Sequence, residues 1–344
     1  MPKNKWIYIV LSFAVSIILI WVLLSQIETQ DLIQTLKRIY FPALAVYVLV
    51  ALGAAVLRAW RYKLLLRPRY VGWRNILLVT FVRNSLIDLL PWRIGSLSYI
   101  YILNRRLSFS FEAATSTFVL AFLFDFLTLS PFLILAIAAL GLGATSISNI
   151  YLVILSLLFF LAIFFILWKI IPFASFLLKI YCSLLKVFRM EKRSWAKISV
   201  EKFNLTMESL SQIKTRKIYL PISLLSFFLR LLKYVSIYFL LFSLLRSHGF
   251  SLGKLSFWKL ILGTTGAELT SLLPIKGIAG FGTWESAWAI TFKLMNFEAR
   301  LAILSGIGVH LLTNIFEYSL GIVSLLILAF PFLEKRKKGR FVLF

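Results

Sequence analysis

The chain has 344 residues, 60% of them apolar, with a mean hydropathy of +0.91 and a formal net charge of +25. This composition excludes a soluble globular protein, which needs more polar surface, and the basic residues sit in loops beside apolar runs, a membrane pattern and not a nucleic-acid-binding face. A single cysteine, Cys182, excludes a disulfide framework, and His248 and His310 are too few and too far apart for a metal site, so no cofactor is expected.

In chain order, Lys3 and Lys5 lead into Trp6–Ser25. That run is long for a signal peptide and no small-residue cleavage site follows it, so it reads as a retained membrane helix. Pro42–Leu66 is the second stretch with the roughly 20 residues a helix needs to cross a bilayer. Two shorter arms follow, Asn75–Leu90 and Ile94–Leu103. Phe111–Leu142, with a kink expected at Pro131, and Tyr151–Ile171 complete a first half over 1–171.

A basic loop occupies 172–217. In it Phe173, Phe176, Leu177, Ile180, Tyr181, Leu184, Leu185 and Phe188 share one helical face. This segment reads either as an interfacial helix among anionic headgroups or as a linker helix with positive-inside residues. The second half, 218–333, holds Ile218–Leu245, a second pair of short arms at Leu255–Leu273 and Trp284–Met295, and Leu301–Phe330. A basic tail covers 334–344.

Both short pairs are interrupted in the same way. The first reads Leu86-Ile-Asp-Leu-Leu-Pro91-Trp-Arg93-Ile-Gly95, the second Leu269-Thr-Ser-Leu-Leu-Pro274-Ile-Lys276-Gly277-Ile-Ala-Gly280-Phe-Gly282. Proline and glycine at membrane depth free backbone groups, which are tolerated only inside protein or beside a polar cavity. Matching interruptions in two halves point to a transporter's binding site. Lys3, Lys5, Arg67, Arg69, Arg74, Arg105, Arg106, the 169–217 loop and the tail fall on one side, which sets both termini in the cytoplasm of a cell membrane. The two hairpins then enter from opposite faces. The expected fold is an all-α polytopic integral membrane protein: six spanning helices and two opposed re-entrant helical hairpins, an inverted repeat within a single transmembrane domain over 1–344.

Ionisable residues inside apolar spans are costly and face a cavity or a partner. Asp125, Glu317, Arg230 and Lys233 are of this kind, and His310, Asn314 and Glu317 form one stripe at i, i+4, i+7. They read either as substrate contacts or as a structural ion pair, such as Asp125 or Glu317 with Arg230. Asp88, Arg93 and Lys276 stand at the breaks, where a cation beside freed N–H groups suits a phosphate, or alternatively caps freed carbonyls. Glu268 precedes the second break. Gly277, Gly280 and Gly282 permit a tight turn before a helix restarts, with Glu285 in its first turn. The candidate substrate-binding residues are therefore Arg93, Lys276, Asp88, Asp125, Glu268, Glu285, Glu317 and Arg230. The backbone breaks are Pro91, Gly95, Pro274, Gly277, Gly280 and Gly282.

Leu273-Pro274-Ile-Lys-Gly277-Ile-Ala-Gly280-Phe-Gly282-Thr-Trp-Glu285 resembles the Pro/Gly-rich signature of the flippase-like family that includes the membrane region of lysylphosphatidylglycerol synthases. Leu90-Pro91-Trp-Arg93-Ile-Gly95 and Asp125 resemble its first-half pattern, and Arg58 and Arg61 at the end of the second helix fit it too. Two positions depart: Ser96 stands where members often carry Glu, and Ala121 and Phe122 stand where a Glu-Arg pair is common. The resemblance implies movement of a phospholipid, or of a lipid-linked amino acid or sugar, between leaflets. The synthases' soluble aminoacyl-transferring domain follows their membrane region; this chain stops soon after its last apolar stretch, and no G-x-S-x-G or H-E-x-x-H motif occurs, so no enzyme activity is expected. The expected partners are anionic membrane lipids, not nucleic acid. Two other functions stay open: an ion-coupled carrier of a small solute, and a non-transporting partner of a lipid- or glycan-modifying enzyme.

Overall fold

The computed structural model describes residues 4–89, 95–140, 147–270 and 277–329, and among them it is all helix and turn. Fourteen α-helices follow in order. The first half holds α1 (Asn4–Leu24), α2 (Thr29–Lys37), α3 (Phe41–Leu65), α4 (Trp73–Leu89), α5 (Ser98–Leu107), α6 (Phe111–Leu127), α7 (Leu129–Ala139) and α8 (Ile147–Trp168). Next come α9 (Ile170–Val187) and α10 (Ser194–Thr215). The second half holds α11 (Tyr219–Leu245), α12 (Phe257–Leu269), α13 (Thr283–Leu294) and α14 (Ala299–Ala329).

Six helical segments are long and apolar enough to cross a membrane: Phe41–Leu65, Phe111–Ala139, Ile150–Trp168, Ile170–Val187, Tyr219–His248 and Ala299–Ala329. α1 with α2, bent by 87° between them, makes a seventh candidate. The expected set omits Ile170–Val187. α8 exposes large apolar residues around its circumference, among them Ile150, Leu155, Leu161, Phe164 and Phe165, which suits contact with acyl chains.

The third expected span breaks between α6 and α7, just before Pro131. A proline removes one N–H and clashes with the carbonyl four residues back, which here is Leu127, the last residue of α6. Thr128 then donates its hydroxyl to the carbonyls of Phe124 (3.0 Å) and Asp125 (3.2 Å).

The short arms are helices that pack on one another. α4 and α5 have 17 and 10 residues, α12 and α13 have 13 and 12. At about 1.5 Å per residue none reaches the roughly 30 Å of a hydrocarbon core. Gly95 lies against the carbonyl of Leu86, so close that a Cβ there would overlap it; the chain folds back on α4. Of the named breaks, Pro91 and Pro274 lie outside the described residues.

Small residues let these helices approach, as membrane packing requires. α3 runs along α11 and α4 along α14. A Cβ at Gly321 on α14 would strike the Ser85 side chain on α4, and one at Gly306 would stand 2.9 Å from the Trp288 ring. Buried apolar residues form two clusters, one centred on Tyr62, Tyr99, Leu120 and Phe124, the other on Tyr234, Leu260, Trp288 and Leu304.

The 172–217 loop is two helices. Phe176, Leu177, Ile180, Leu184 and Phe188 of the expected apolar face are exposed, and Leu185 is buried. α10 packs on both α9 and α6, with Ser116 hydrogen-bonded to Ser209 at 2.7 Å. Lys202 donates to Glu112, and that bond raises its ammonium above the usual lysine range.

Candidate functional site

α3, α4, α6, α11, α12 and α14 each place a charged side chain on one cavity of about 250 Å³. Four cations line it, Arg58, Arg83, Arg230 and Lys233, along with the carboxylates of Asp125, Glu268 and Glu317. These residues come from both halves of the chain, and the cavity also receives His310, Asn314 and Trp284.

Asp125 and Glu268 have neighbours of opposite charge. Asp125 accepts both guanidinium nitrogens of Arg61, at 2.6 and 3.2 Å, in the two-point geometry that arginine alone provides. Arg61 is fully buried and also donates to Ser226 on α11 at 2.8 Å, so this pair ties α3, α6 and α11 together. Arg230 does not take the Asp125 carboxylate that the simplest pairing expects. It donates to the Asp125 backbone carbonyl at 2.6 Å, beside the break before Pro131, and stands 3.3 Å from Glu268. Lys233 sits 2.5 Å from the other oxygen of Glu268.

Two cations are placed differently. Arg58 and Arg83 both donate to the side-chain oxygen of Asn84, a neutral acceptor. Neither forms an ion pair among the described residues, and the Nε of each, like that of Arg61, is buried without a hydrogen-bond partner there. A buried guanidinium without an anion is costly, and an anionic ligand would offset that cost.

The second break is built from backbone conformations that favour glycine. Gly280 and Gly282 have φ of +80° and +86°. A Cβ at Gly282 would stand 2.8 Å from Leu19 on α1, and Ser16 of α1 donates to the Phe281 carbonyl at 3.1 Å. Gly277 approaches the same carbonyl too closely for any side chain. α13 restarts at Thr283, and Glu285 accepts the Gly282 N–H at 2.8 Å, which places its charge at the positive end of the helix. Its other oxygen lies 2.6 Å from His310 Nδ1.

The structure therefore brings Asp125, Glu268, Glu317 and Arg230 to one cavity, with Glu285 behind it through His310. Arg93 and Lys276 lie outside the described residues, as does the side chain of Asp88 on α4. Arg83 and Asn84, with the hydroxyl-bearing Tyr47, Ser236, Thr264 and Thr313, are cavity residues that sequence reasoning missed. An arginine inside the apolar arm of α4 carries the same signal as Asp125, so the intramembrane-charge rule would have found Arg83.

A family model described as the lysylphosphatidylglycerol synthase TM region matches residues 9–321. The chain belongs to that family. As a lysylphosphatidylglycerol synthase TM-region protein it is a multi-pass membrane protein linked to the handling of lipids or aminoacyl-lipids. Both breaks and every cavity residue named above fall, by sequence, within the matched segment of the TM-region family. No curated protein matches the chain.

Proposed function

We propose that this protein moves an anionic phospholipid, or a lipid-linked amino acid or sugar, between the leaflets of the cell membrane, and that it does so without enzymatic chemistry. The observation that carries this reading is the cavity's charge. Arg58, Arg83, Arg230 and Lys233 line it against three carboxylates, with Arg61 behind Asp125, and Arg58 and Arg83 hold only a neutral Asn84 between them. A phosphate between those two guanidiniums would receive charge-assisted hydrogen bonds from both.

Alternating access through an inverted repeat suits the same elements. α3 with α4, α5 and the α6–α7 span repeats in kind as α11 with α12, α13 and α14: a span, two short packed helices, a span. The two leading spans pack on each other, α4 packs on α14, and α12 packs on α7. This exchange of neighbours supports a two-fold relation between the halves. We place both termini and the α9–α10 pair on the cytoplasmic side, as the positive-inside pattern directs, with anionic lipids as the partners.

The test is lipid movement in reconstituted vesicles, followed by quenching of a headgroup-labelled phosphatidylglycerol from outside. Losing one charge-assisted contact of about 1.5–3 kcal/mol slows transfer by roughly tenfold or more. Arg58→Gln with Arg83→Gln is expected to show at least that loss in a folded protein. Transfer at the wild-type rate would remove the phosphate seat from this reading.

A further inference from the structure

α9 is long and apolar enough to cross a membrane, yet its neighbours keep it from doing so. α10 folds back along it. Tyr181 is hydrogen-bonded to Ser199 at 2.7 Å, and Ser175 donates to the Met207 sulfur at 3.8 Å, so the two helices run antiparallel. Lys214, near the end of α10, donates to the carbonyl of Trp168, the last residue of α8, at 2.7 Å. The chain therefore returns to the level at which α8 ended. If α9 crossed the bilayer, α10 would have to cross beside it, and α10 exposes Lys197, Glu201, Lys202 and Glu208 along its length. Charges that face lipid at membrane depth are too costly for that. α10 stays out of the acyl layer, and α9 cannot cross without it.

α9 also leaves one face uncovered. Phe176, Leu177, Ile180, Leu184, Val187 and Phe188 are 41% to 74% exposed and recur at helical spacing. Ser175 and Tyr181, which meet α10, and the buried Leu185 lie off that stripe. Lys179 and Lys186 are exposed along one edge of it. Between Lys169 and Lys217, eleven Lys and Arg stand against three Glu, a balance that suits an anionic surface. Only Lys169 separates α9 from the end of the α8 span, so the uncovered face begins at the membrane surface.

We propose that α9 lies in the plane of the bilayer surface where α8 leaves it, with the stripe from Phe176 to Phe188 in the acyl layer and Lys179 and Lys186 among anionic headgroups. By the sidedness proposed above, this surface is the cytoplasmic leaflet. A helix held in this way sinks its apolar face about 5–10 Å into the boundary between headgroups and acyl chains. The crossing segments are then α1, α3, α6–α7, α8, α11 and α14, an even set that returns both termini to one side. α10 rides on the water side of α9. Ser209 and Lys202 fix it to Ser116 and Glu112 at the start of α6, so the docked hairpin holds the helix that brings Asp125 to the cavity. This docking does not depend on what the cavity carries.

Spin-label depth in nanodiscs tests the proposal on the full chain. Phe176→Cys, Ile180→Cys, Leu184→Cys and Phe188→Cys, each in a Cys182→Ser background, place a label on the stripe; Lys179→Cys and the native Cys182 place one off it. Collision with oxygen against collision with a nickel chelate gives the depth. With phosphatidylglycerol present, the four stripe labels should share one depth, about 5–10 Å below the headgroups, and the other two should be in water. A depth that runs steadily through the bilayer centre from 176 to 188 marks a crossing helix and overturns the proposal. Stripe labels in water, with phosphatidylglycerol or without, also overturn it and assign the face to a protein partner. Exchange of phosphatidylglycerol for phosphatidylcholine should lower the ratio of docked to undocked label. Lys179→Gln with Lys186→Gln should lower it in phosphatidylglycerol by roughly fivefold per charge. A ratio indifferent to both changes overturns the headgroup contact. None of these readings depends on lipid transfer, so the docking and the transport reading fail separately.

Discussion

Arg61 shows how one residue settles the character of a membrane interior. Its guanidinium is fully buried, and its two terminal nitrogens donate to Asp125 and Ser226. Removing one partner of a buried ion pair leaves the other charge uncompensated, at about 3–5 kcal/mol. Arg61→Ala should therefore lower the melting temperature in detergent, read by tryptophan fluorescence. Arg61→Met combined with Asp125→Leu should regain most of the loss, since a packed apolar pair replaces a buried ionic one. The presence of charges such as Asp125, Arg230 and Glu317 was legible in the sequence, because an ionisable residue in an apolar run stands out. Their partners were not. Arg61 and Asp125 are 64 positions apart, and nothing in spacing links them. Arg230 turns to a backbone carbonyl at a helix break, which depends on how α11 lies against α6.

At the scale of elements, the breaks govern shape. Gly282 holds φ at +86° with Leu19 of α1 against the place a Cβ would occupy. Gly282→Ala meets both an unfavourable backbone region and an overlap, at about 1–3 kcal/mol each. A lower melting temperature is expected, and with it a loss of protection from hydrogen exchange at the start of α13. Gly321→Leu should push α14 from α4 by overlap with Ser85, and a nitroxide pair on the two helices would report the added distance. An unchanged distance would mean that the helices do not rely on that contact. Most helices were readable from apolar length and from Leu-Leu-Pro. The split of α6 from α7 followed from Pro131, although the interruption falls on the residues before it. α10 was not expected as a packed helix, because a segment with few apolar residues gives little period to read; it docks through the buried Leu210 and Ile213 together with polar contacts such as Ser116 with Ser209.

For the whole molecule, the sidedness proposed from Lys and Arg positions can be checked with the residue the chain already carries. Cys182 is half-buried on α9, and no other cysteine competes with it. A membrane-impermeant maleimide should modify it in inside-out vesicles and spare it in right-side-out ones. The reverse pattern would invert the topology, and the direction of any transport with it. The six stretches long enough to span were largely visible in composition, whereas the cavity was not. Its lining combines α3, α4 and α6 with α11, α12 and α14, and only their packing brings Arg58 and Glu317 to one space.

The contact of α1 with the second break has a mechanical consequence. Ser16 and Leu19 grip the 277–282 turn from one side, so the second break is braced by a helix from the first half of the chain. A rocking device needs a stator as well as a rotor. In the proposed transport cycle, the turn braced by α1 would stay with the frame and the α4–α5 pair would be the part that travels.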